Sequence, residues 1–206
     1  MNEPVRRRQQ LQLWLILGIT GIVLAAGFLL VPRDEESRAR LIDLLGTSNH
    51  GRLLAPVVPI AELPMASPMG IAEQSTEWAP RWRLFVVAGM PCEDACRDVL
   101  HVTRQVHVRL GRNADRLERV LLVPGLVDDE ILAWAEREHP HMRILQTTPA
   151  AFAQWPGAQQ LGWDPADVGV FLVDPQGAAM LYFAPEFDGA DLLADLNHLL
   201  KYSPEP

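Results

Sequence analysis

Hydrophobic positions divide the chain into one long apolar run near its start and a later stretch of short alternating elements. The run Leu11–Val31 holds 21 residues with no charge and one amide, Gln12. At about 1.5 Å rise per residue, a helix of this length spans roughly 30 Å, the hydrocarbon thickness of a bilayer. Three arginines (6–8) precede the run and an acidic segment follows it. The positive-inside rule therefore predicts a cytoplasmic N-terminus over residues 1–10 and a transmembrane anchor over residues 11–32.

A cleaved signal peptide is the alternative explanation of this run. The apolar region of a signal peptide usually holds about 7–15 residues and ends in a small-x-small cleavage site. Here the run is longer and ends in Phe28-Leu29-Leu30-Val31-Pro32, which contains no such site. We therefore expect an uncleaved anchor and an exported remainder.

Residues 33–80 predict a stalk followed by a proline-rich segment. Glu35–Leu45 has helical periodicity and is followed by Gly46, a plausible C-cap. Five prolines then fall between Leu54 and Pro80. Because proline breaks helices and removes ladder donors, these residues favour an extended path at a sheet edge. The sequence leaves open whether the segment packs on the following domain or forms a free stalk.

From residue 81 onward, strands and helices alternate. The predicted strands are Trp82–Ala88, Val120–Val123, Met142–Leu145, Val168–Val173 and Ala179–Phe183. The predicted helices are Cys92–Leu110, Asp128–Glu138 and Asp188–Leu200. This order predicts βαβ units on a largely parallel sheet, with a final hairpin that adds an antiparallel edge. The expected fold class is α/β, a thioredoxin-like domain over residues 81–206 preceded by one N-terminal transmembrane helix.

Charge and cysteine content exclude two classes of protein. The chain has 206 residues, a formal net charge of -8 and two cysteines. The charge of residues 33–206 is about -10, because residues 1–32 contain three arginines and one glutamate. An acidic domain argues against nucleic-acid binding, which needs clustered positive charge. Two cysteines are too few for a small disulfide-scaffolded fold.

The two cysteines are the candidate functional residues. Cys92 and Cys96 follow the first strand of the domain and begin its first helix, within Met90-Pro91-Cys92-Glu93-Asp94-Ala95-Cys96. Spacing of i, i+4 puts both sulfurs on one helix face with Cα atoms about 6 Å apart, a distance that a disulfide can bridge. The helix N-terminus favours the thiolate form of Cys92, which we expect to be the exposed attacking thiol, with Cys96 as the resolving thiol.

Three roles for this pair remain open at the level of sequence. The pair can cycle between dithiol and disulfide, or offer two soft thiolates to Cu(I). The third role is a structural disulfide in an oxidising compartment, although so short a loop gives little entropic stabilisation. Zinc is disfavoured, because the chain has only two thiols and no paired histidines beside them.

The strand–CxxxC–helix arrangement, the later segment Phe171–Gly177 and the N-terminal anchor resemble the Sco/SenC family. The resemblance implies a membrane-anchored thioredoxin fold that helps assemble the copper centre of cytochrome c oxidase. It also implies copper binding by Cys92 and Cys96 together with a histidine shortly before the late strand. That histidine would fall near Ala166 or Asp167, and no histidine lies between positions 141 and 198. The chain is therefore expected to be a divergent member that lacks the family histidine.

Other side chains could complete a copper site in place of the missing histidine. The candidates are Met90, His50, His101 and His107, with Asp167 as a harder oxygen ligand better suited to Cu(II). For each of these residues an ordinary packing or surface role is the stronger expectation. The predicted metal ligands therefore remain Cys92 and Cys96, and Cu(I) is the candidate metal.

Together these observations predict a membrane-anchored periplasmic Sco-like assembly factor in the bacterial inner membrane. Its CxxxC pair would serve copper handling or thiol redox chemistry in cytochrome c oxidase biogenesis. The expected partners are an oxidase subunit or other assembly factors. Two alternatives are a general membrane-bound thiol-disulfide oxidoreductase and a non-catalytic oxidase-associated scaffold.

Overall fold

The computed structural model describes residues 3–30 and 49–203, which belong to two compact units divided after Thr47. The first unit contains helix α1, Glu3–Leu30. Within the described ranges, no helix combines the length and apolar character needed to cross a membrane. The anchor over residues 11–32 therefore stays a prediction, and the helix expected over 35–45 lies outside the described residues.

The second unit is built on one mixed sheet of eight strands. The strands are β1 (Arg52–Pro59), β2 (Met65–Ala66), β3 (Ala72–Glu73), β4 (Trp82–Ala88), β5 (Leu117–Pro124), β6 (Met142–Thr147), β7 (Val168–Val173) and β8 (Ala178–Phe183). Their order across the sheet is β1-β8-β7-β4-β5-β6-β2-β3. β4 and β7, at the centre, are buried along almost their whole length, which explains their continuous apolar sequences.

Five helices accompany the sheet. They are α2 (Asp94–Arg109), α3 (Asp129–Glu138), α4 (Pro149–Gln154), α5 (Pro156–Leu161) and α6 (Gly189–Tyr202). α2 connects the parallel pair β4–β5 and α3 connects the parallel pair β5–β6, as expected for βαβ units. α4 and α5 were not expected from the sequence.

The α/β fold class expected from the sequence is confirmed, but the expectation of a largely parallel sheet is wrong. Among the seven strand pairings in the described part of the chain, only β4–β5 and β5–β6 are parallel. The other five pairings are antiparallel. β7 runs antiparallel to β4 and forms a hairpin with β8. β1, β2 and β3 add antiparallel strands at the two edges.

The proline-rich segment before residue 81 belongs to the same sheet. β1 pairs with β8, so the sheet begins at Arg52 rather than at the boundary expected from the sequence. The expected edge position is found: β1 and β3 are the two outermost strands. Gln160 side-chain atoms bond the backbone of Ala55 and Pro56, which fastens β1 to α5.

Alternation along the central strands separates two hydrophobic cores. Leu84 and Val86 of β4 join the core beneath α2 and α6, which also contains both cysteines. Phe85 and Val87 join the core on the opposite face, which residues 54–65 and the two short helices cover. We call these the helical face and the aromatic face of the sheet.

Candidate functional site

The two cysteines flank the start of α2 at the carboxyl end of β4. α2 begins at Asp94, with Glu93 as its N-cap, so Cys92 lies in the loop before the helix and Cys96 lies in its first turn. The prediction that the helix begins at Cys92 is wrong by two residues. The cysteines form a disulfide with Cα atoms 5.2 Å apart, which agrees with the bridging distance expected from their spacing.

The disulfide is buried, contrary to the expectation of an exposed Cys92. Both cysteines are 2% exposed and belong to the apolar core of the helical face. Met90, in the cysteine loop, and Val168, at the start of β7, pack against the same core. Because both half-cystines lie inside this cluster, a second thiol can reach them only when the loop before α2 opens.

Arg97 ties this loop to the neighbouring helix. Its Nε donates a hydrogen bond of 3.1 Å to the carbonyl of Cys92. Its guanidinium lies over the ring of Trp134 in α3, 5.2 Å from the ring centroid, in a cation–π contact. Arg97 therefore connects the cysteine loop, α2 and α3.

A second loop lies against the cysteine loop at the place where the family histidine was expected. A Cβ on Gly89 would lie 2.6 Å from the Pro165 carbonyl oxygen, so the close approach of the two backbones requires glycine there. Asp167 Oδ2 accepts a bond of 2.7 Å from the Asp164 amide, and Asp164 accepts one from the Ala166 amide. Both carboxylates therefore stabilise their own turn.

The structure places the three candidate histidines in contacts that do not include the cysteines. His50 Nδ1 bonds Asp195 at 2.9 Å, and His107 Nε2 bonds the Ala114 carbonyl at 2.9 Å. His101 lines a separate cavity with Arg104. Met90 packs against the core near the disulfide.

The positions of the cysteines and of the other candidate ligands show whether these residues can form a copper centre. Across residues 3–30 and 49–203, no group of three or more His, Cys, Asp or Glu side chains is arranged to hold a metal ion. The site supplies two sulfur donors and lacks the third ligand that the family resemblance implies. Among the described residues, the two sulfurs therefore lack the third His, Cys, Asp or Glu ligand that such a copper site needs.

Sequence reasoning missed a buried charged group between the sheet and α2. Arg119 of β5 is 4% exposed, and burial lowers its pKa to about 10, with the nearby Arg104 charge adding to this effect. The available signal was a single arginine within the apolar strand Leu117–Pro124. Its surroundings come from distant positions in the chain and could not be inferred from spacing.

A protein-family model matches most of the second unit. The family described as "Transmembrane-like, thioredoxin-like, C-terminal domain" matches residues 82–203, which includes both cysteines and most of the sheet. A search of the curated proteins finds no match.

Solved structures of Sco proteins share the fold. Apo Sco1 from Thermus thermophilus is 19% identical, with a TM-score of 0.56, and the match covers 75% of this chain and 98% of that chain. Yeast Sco1 with copper bound is 14% identical, with a TM-score of 0.56 and coverage of 77% and 97%. BsSco, described as having a disulfide switch and as a member of the Sco family of cytochrome c oxidase assembly proteins, is 10% identical, with a TM-score of 0.55 and coverage of 72% and 96%. The resemblance to Sco proteins is thus confirmed as a likeness of fold.

Proposed function

The chain belongs to the family of transmembrane-like, thioredoxin-like C-terminal domains, and from this premise we propose that it is a Sco-like assembly factor whose Cys92–Cys96 pair exchanges disulfides with a partner in cytochrome c oxidase biogenesis. The observation that carries the proposal is the disulfide itself, which closes a five-residue loop at the start of α2. A disulfide at this place in a thioredoxin-like fold favours redox exchange, because so small a loop contributes little as a structural cross-link.

The exchange follows from the positions of the two sulfurs. Once the loop before α2 opens, a partner thiolate attacks Cys92 Sγ and the intramolecular S–S bond breaks. Cys96 leaves as a thiolate in the first turn of α2, where the positive helix end stabilises it. The partner's second thiolate then attacks the mixed disulfide and releases the Cys92 thiolate. Two electrons pass from the partner dithiol to this chain, whose two thiolates take up two protons, while the partner becomes a disulfide.

Copper handling by the reduced pair is the second candidate function. Two thiolates with Cα atoms 5.2 Å apart can both contact one Cu(I) ion, a soft metal that thiolates favour. The absence of a third ligand among the described residues weighs against tight binding. We therefore expect the reduced chain to lose Cu(I) to a competing chelator of known affinity, and retention of one copper per chain would favour the copper function instead.

The compartment proposed for this chemistry is the periplasmic side of the bacterial inner membrane. The apolar run over residues 11–32 would anchor the chain, and the arginines before it favour a cytoplasmic N-terminus. A disulfide persists in an oxidising compartment, which agrees with export of residues 33–206. Protease added to spheroplasts should digest the domain and spare the N-terminal ten residues, and protection of the domain would contradict this orientation.

Single and double cysteine variants of the full chain test the function. Cys96→Ser leaves Cys92 as a single thiol. Its thiolate should attack a peptide that carries an intramolecular disulfide, release one peptide thiolate and hold the peptide as a mixed disulfide, because the chain keeps no resolving thiol. Cys92→Ser is the matched control, and we expect it to trap much less because Cys96 lies inside the helix. Dithiothreitol should release the trapped complex.

Oxidase assembly separates the redox function from a scaffold role. If exchange matters, the double variant Cys92→Ser, Cys96→Ser should lose oxidase assembly in the host cell while the chain remains folded and abundant. Unchanged oxidase activity with the double variant would favour a scaffold role and contradict both cysteine-based functions. Trapping of many unrelated disulfide-bonded peptides and no effect on the oxidase would instead favour a general oxidoreductase.

A further inference from the structure

A cavity of about 250 Å³ lies between α2 and α3, next to the cysteine loop. We call it the α2–α3 cavity. Its lining combines two arginines, two carboxylates, two histidine rings and one tryptophan ring. The α2 residues are Arg97, Asp98, His101 and Arg104. The other residues are Trp134 and Glu138 of α3 and the following His139. Arg97 also bonds the Cys92 carbonyl, so one residue borders both the cavity and the disulfide loop.

A buried guanidinium lies behind His139. Arg119 Nη2 donates to the Leu100 carbonyl at 3.0 Å and to Thr103 Oγ1 at 3.3 Å, and it lies 3.4 Å from His139 Nδ1. Met142 Sδ, at 3.8 Å, is a weak fourth acceptor. All of these partners are neutral, and Arg119 Nε has no hydrogen-bond partner. A buried cation without a counter-ion is costly, and this cost is reduced when an anion binds nearby.

The rim cations of the cavity are also uncompensated. In the part of the chain that the structure describes, no salt bridge joins Arg97 or Arg104 to any carboxylate, although Asp98 and Glu138 line the same cavity. Arg97 uses its Nε on the Cys92 carbonyl and leaves its terminal amino groups available. Charged donors on the rim can therefore converge on a ligand without first breaking an ion pair.

His139 contributes a neutral hydrogen-bond donor. It is 5% exposed, and burial followed by the charges of Arg119, Arg104 and His101 lowers its pKa to about 4. Since a guanidinium can only donate, His139 Nδ1 accepts from Arg119 and the proton of the neutral ring lies on Nε2. At neutral pH, this Nε2–H is a donor on a residue that lines the cavity.

We propose that the α2–α3 cavity binds a small oxyanion, a carboxylate or a phosphate, through Arg104, His101 and the His139 Nε2–H, with Arg119 supplying buried positive charge behind them. The lining holds two arginines and two carboxylates, and Arg119 behind His139 adds a third positive charge, so the balance of charge favours an anion. A volume of about 250 Å³ accommodates a single phosphate or a carboxylate-bearing group. The proposal does not depend on disulfide exchange, because none of its donors is a cysteine.

Titration of the full chain with inorganic phosphate and, separately, with acetate tests this site. The readout is the Trp134 indole N–H resonance, assigned with Trp134→Phe, with sodium chloride at matched ionic strength as the reference. We expect a saturable shift with at least one of the two anions and none with chloride. Saturation by phosphate alone would assign the site to phosphate groups, whereas comparable saturation by acetate would assign it to carboxylates.

A set of variants distinguishes anion binding in the cavity from non-specific electrostatic attraction of anions to the protein. Arg104→Gln and His101→Gln should each weaken binding by about tenfold or more, the loss expected for one charge-assisted hydrogen bond. Arg109→Gln removes the same charge from the exposed far end of α2 and should change binding less than twofold. Absence of any saturable shift, or equal weakening by Arg109→Gln and Arg104→Gln, would overturn the proposal.

Discussion

Each face of the central sheet carries one buried arginine, and the two arginines are satisfied in different ways. Arg83, on the aromatic face, donates to Glu118 at 2.8 Å and to the carbonyls of Arg81 and Ala79. Arg119, on the helical face, has only neutral partners and one unsatisfied nitrogen. The difference indicates that the aromatic face is built for stability, whereas the helical face holds the cavity, the disulfide and the groups available for chemistry.

The aromatic face should show the largest loss of stability when it is disrupted. Phe171 is 1% exposed and contacts four rings, those of Phe152, Trp155, Trp163 and Tyr182. Phe171→Ala should lower the free energy of unfolding by about 3–5 kcal/mol, because it removes a large buried side chain and leaves a cavity. Urea unfolding followed by tryptophan fluorescence measures this change.

An exposed apolar residue provides the control for that substitution. Leu126 is 82% exposed, so Leu126→Ala should change the free energy of unfolding by less than about 0.5 kcal/mol. If Phe171→Ala cost no more than Leu126→Ala, the aromatic cluster would not be the stabilising core that its burial indicates.

Replacing each buried arginine by methionine tests the comparison directly. Arg83→Met breaks charged hydrogen bonds and leaves Glu118 with only its longer ion pair to Arg143, at 3.7 Å, so we expect a loss of about 2–3 kcal/mol in unfolding free energy. Arg119→Met removes an uncompensated buried charge, and the expected change is within about 1 kcal/mol of zero. Chemical denaturation of both variants measures the contrast, and equal losses would show that Arg119 is as well compensated as Arg83.

Adding the anion provides a second test of the difference between Arg83 and Arg119. Saturating phosphate or acetate, whichever binds, should stabilise the unmodified chain and the Arg83→Met variant against unfolding by ligand linkage. The Arg119→Met variant should gain less, because the buried charge behind the cavity is gone. The same gain in all three proteins would contradict a role for Arg119 in the site.

The decrease in unfolding free energy at acidic pH should depend on a histidine of the α2–α3 cavity, His139. The folded-state pKa of His139 is lowered to about 4, mainly by burial, whereas an unfolded histidine has a pKa of about 6.5. Above pH 6.5 both states are neutral and His139 contributes no pH dependence. As pH falls from 6.5 to 4, only the unfolded state gains the proton, so the chain loses stability.

The variant His139→Gln should remove this part of the pH dependence. We expect the loss between pH 6.5 and pH 4 to be smaller in the variant by about 1–2 kcal/mol, allowing for solvent screening near the cavity. Urea unfolding at several pH values gives the difference between the two proteins. Parallel curves for variant and unmodified chain would mean that His139 titrates normally in the folded state.

Much of the fold follows from local sequence, because the central strands are unambiguous. β4 and β7 have the bounds expected from their apolar runs, Trp82–Ala88 and Val168–Val173. α4 and α5 were missed because each has only six residues and begins with a proline. Such short helices have almost no intrinsic stability and form only because Phe152 and Trp155 pack into the aromatic face.

The candidate site could be predicted in part. The position of the cysteine pair followed from its spacing after a strand, but the burial of Cys92 depends on packing with residues from other elements. The α2–α3 cavity could not be predicted from the sequence, because Arg119, Arg104 and His139 come from three separate segments of the chain. Charges brought together by tertiary structure leave no periodic pattern in the sequence.

The smallest expected effect concerns His50, whose pH dependence has the opposite sign to that of His139. Its pKa is raised, chiefly by the hydrogen bond to Asp195 and further by the charges of Asp191 and Asp195. A raised folded-state pKa contributes stability that is fully present below pH 6.5 and is lost as pH rises through the folded pKa. The His50 side chain is 48% exposed, so solvent limits this contribution.

Because the backbone amides of His50 and Gly51 also donate to Asp195, the turn should survive replacement of the ring. His50→Ala should therefore be less stable than the unmodified chain at pH 5.5 and close to it at pH 8.5, measured by thermal unfolding at both pH values. His198→Gln, on the same helix as Asp195, is the matched control and should show no such convergence. A deficit for His50→Ala that stays constant with pH would mean that only the neutral hydrogen bond matters and that charge on the ring contributes nothing.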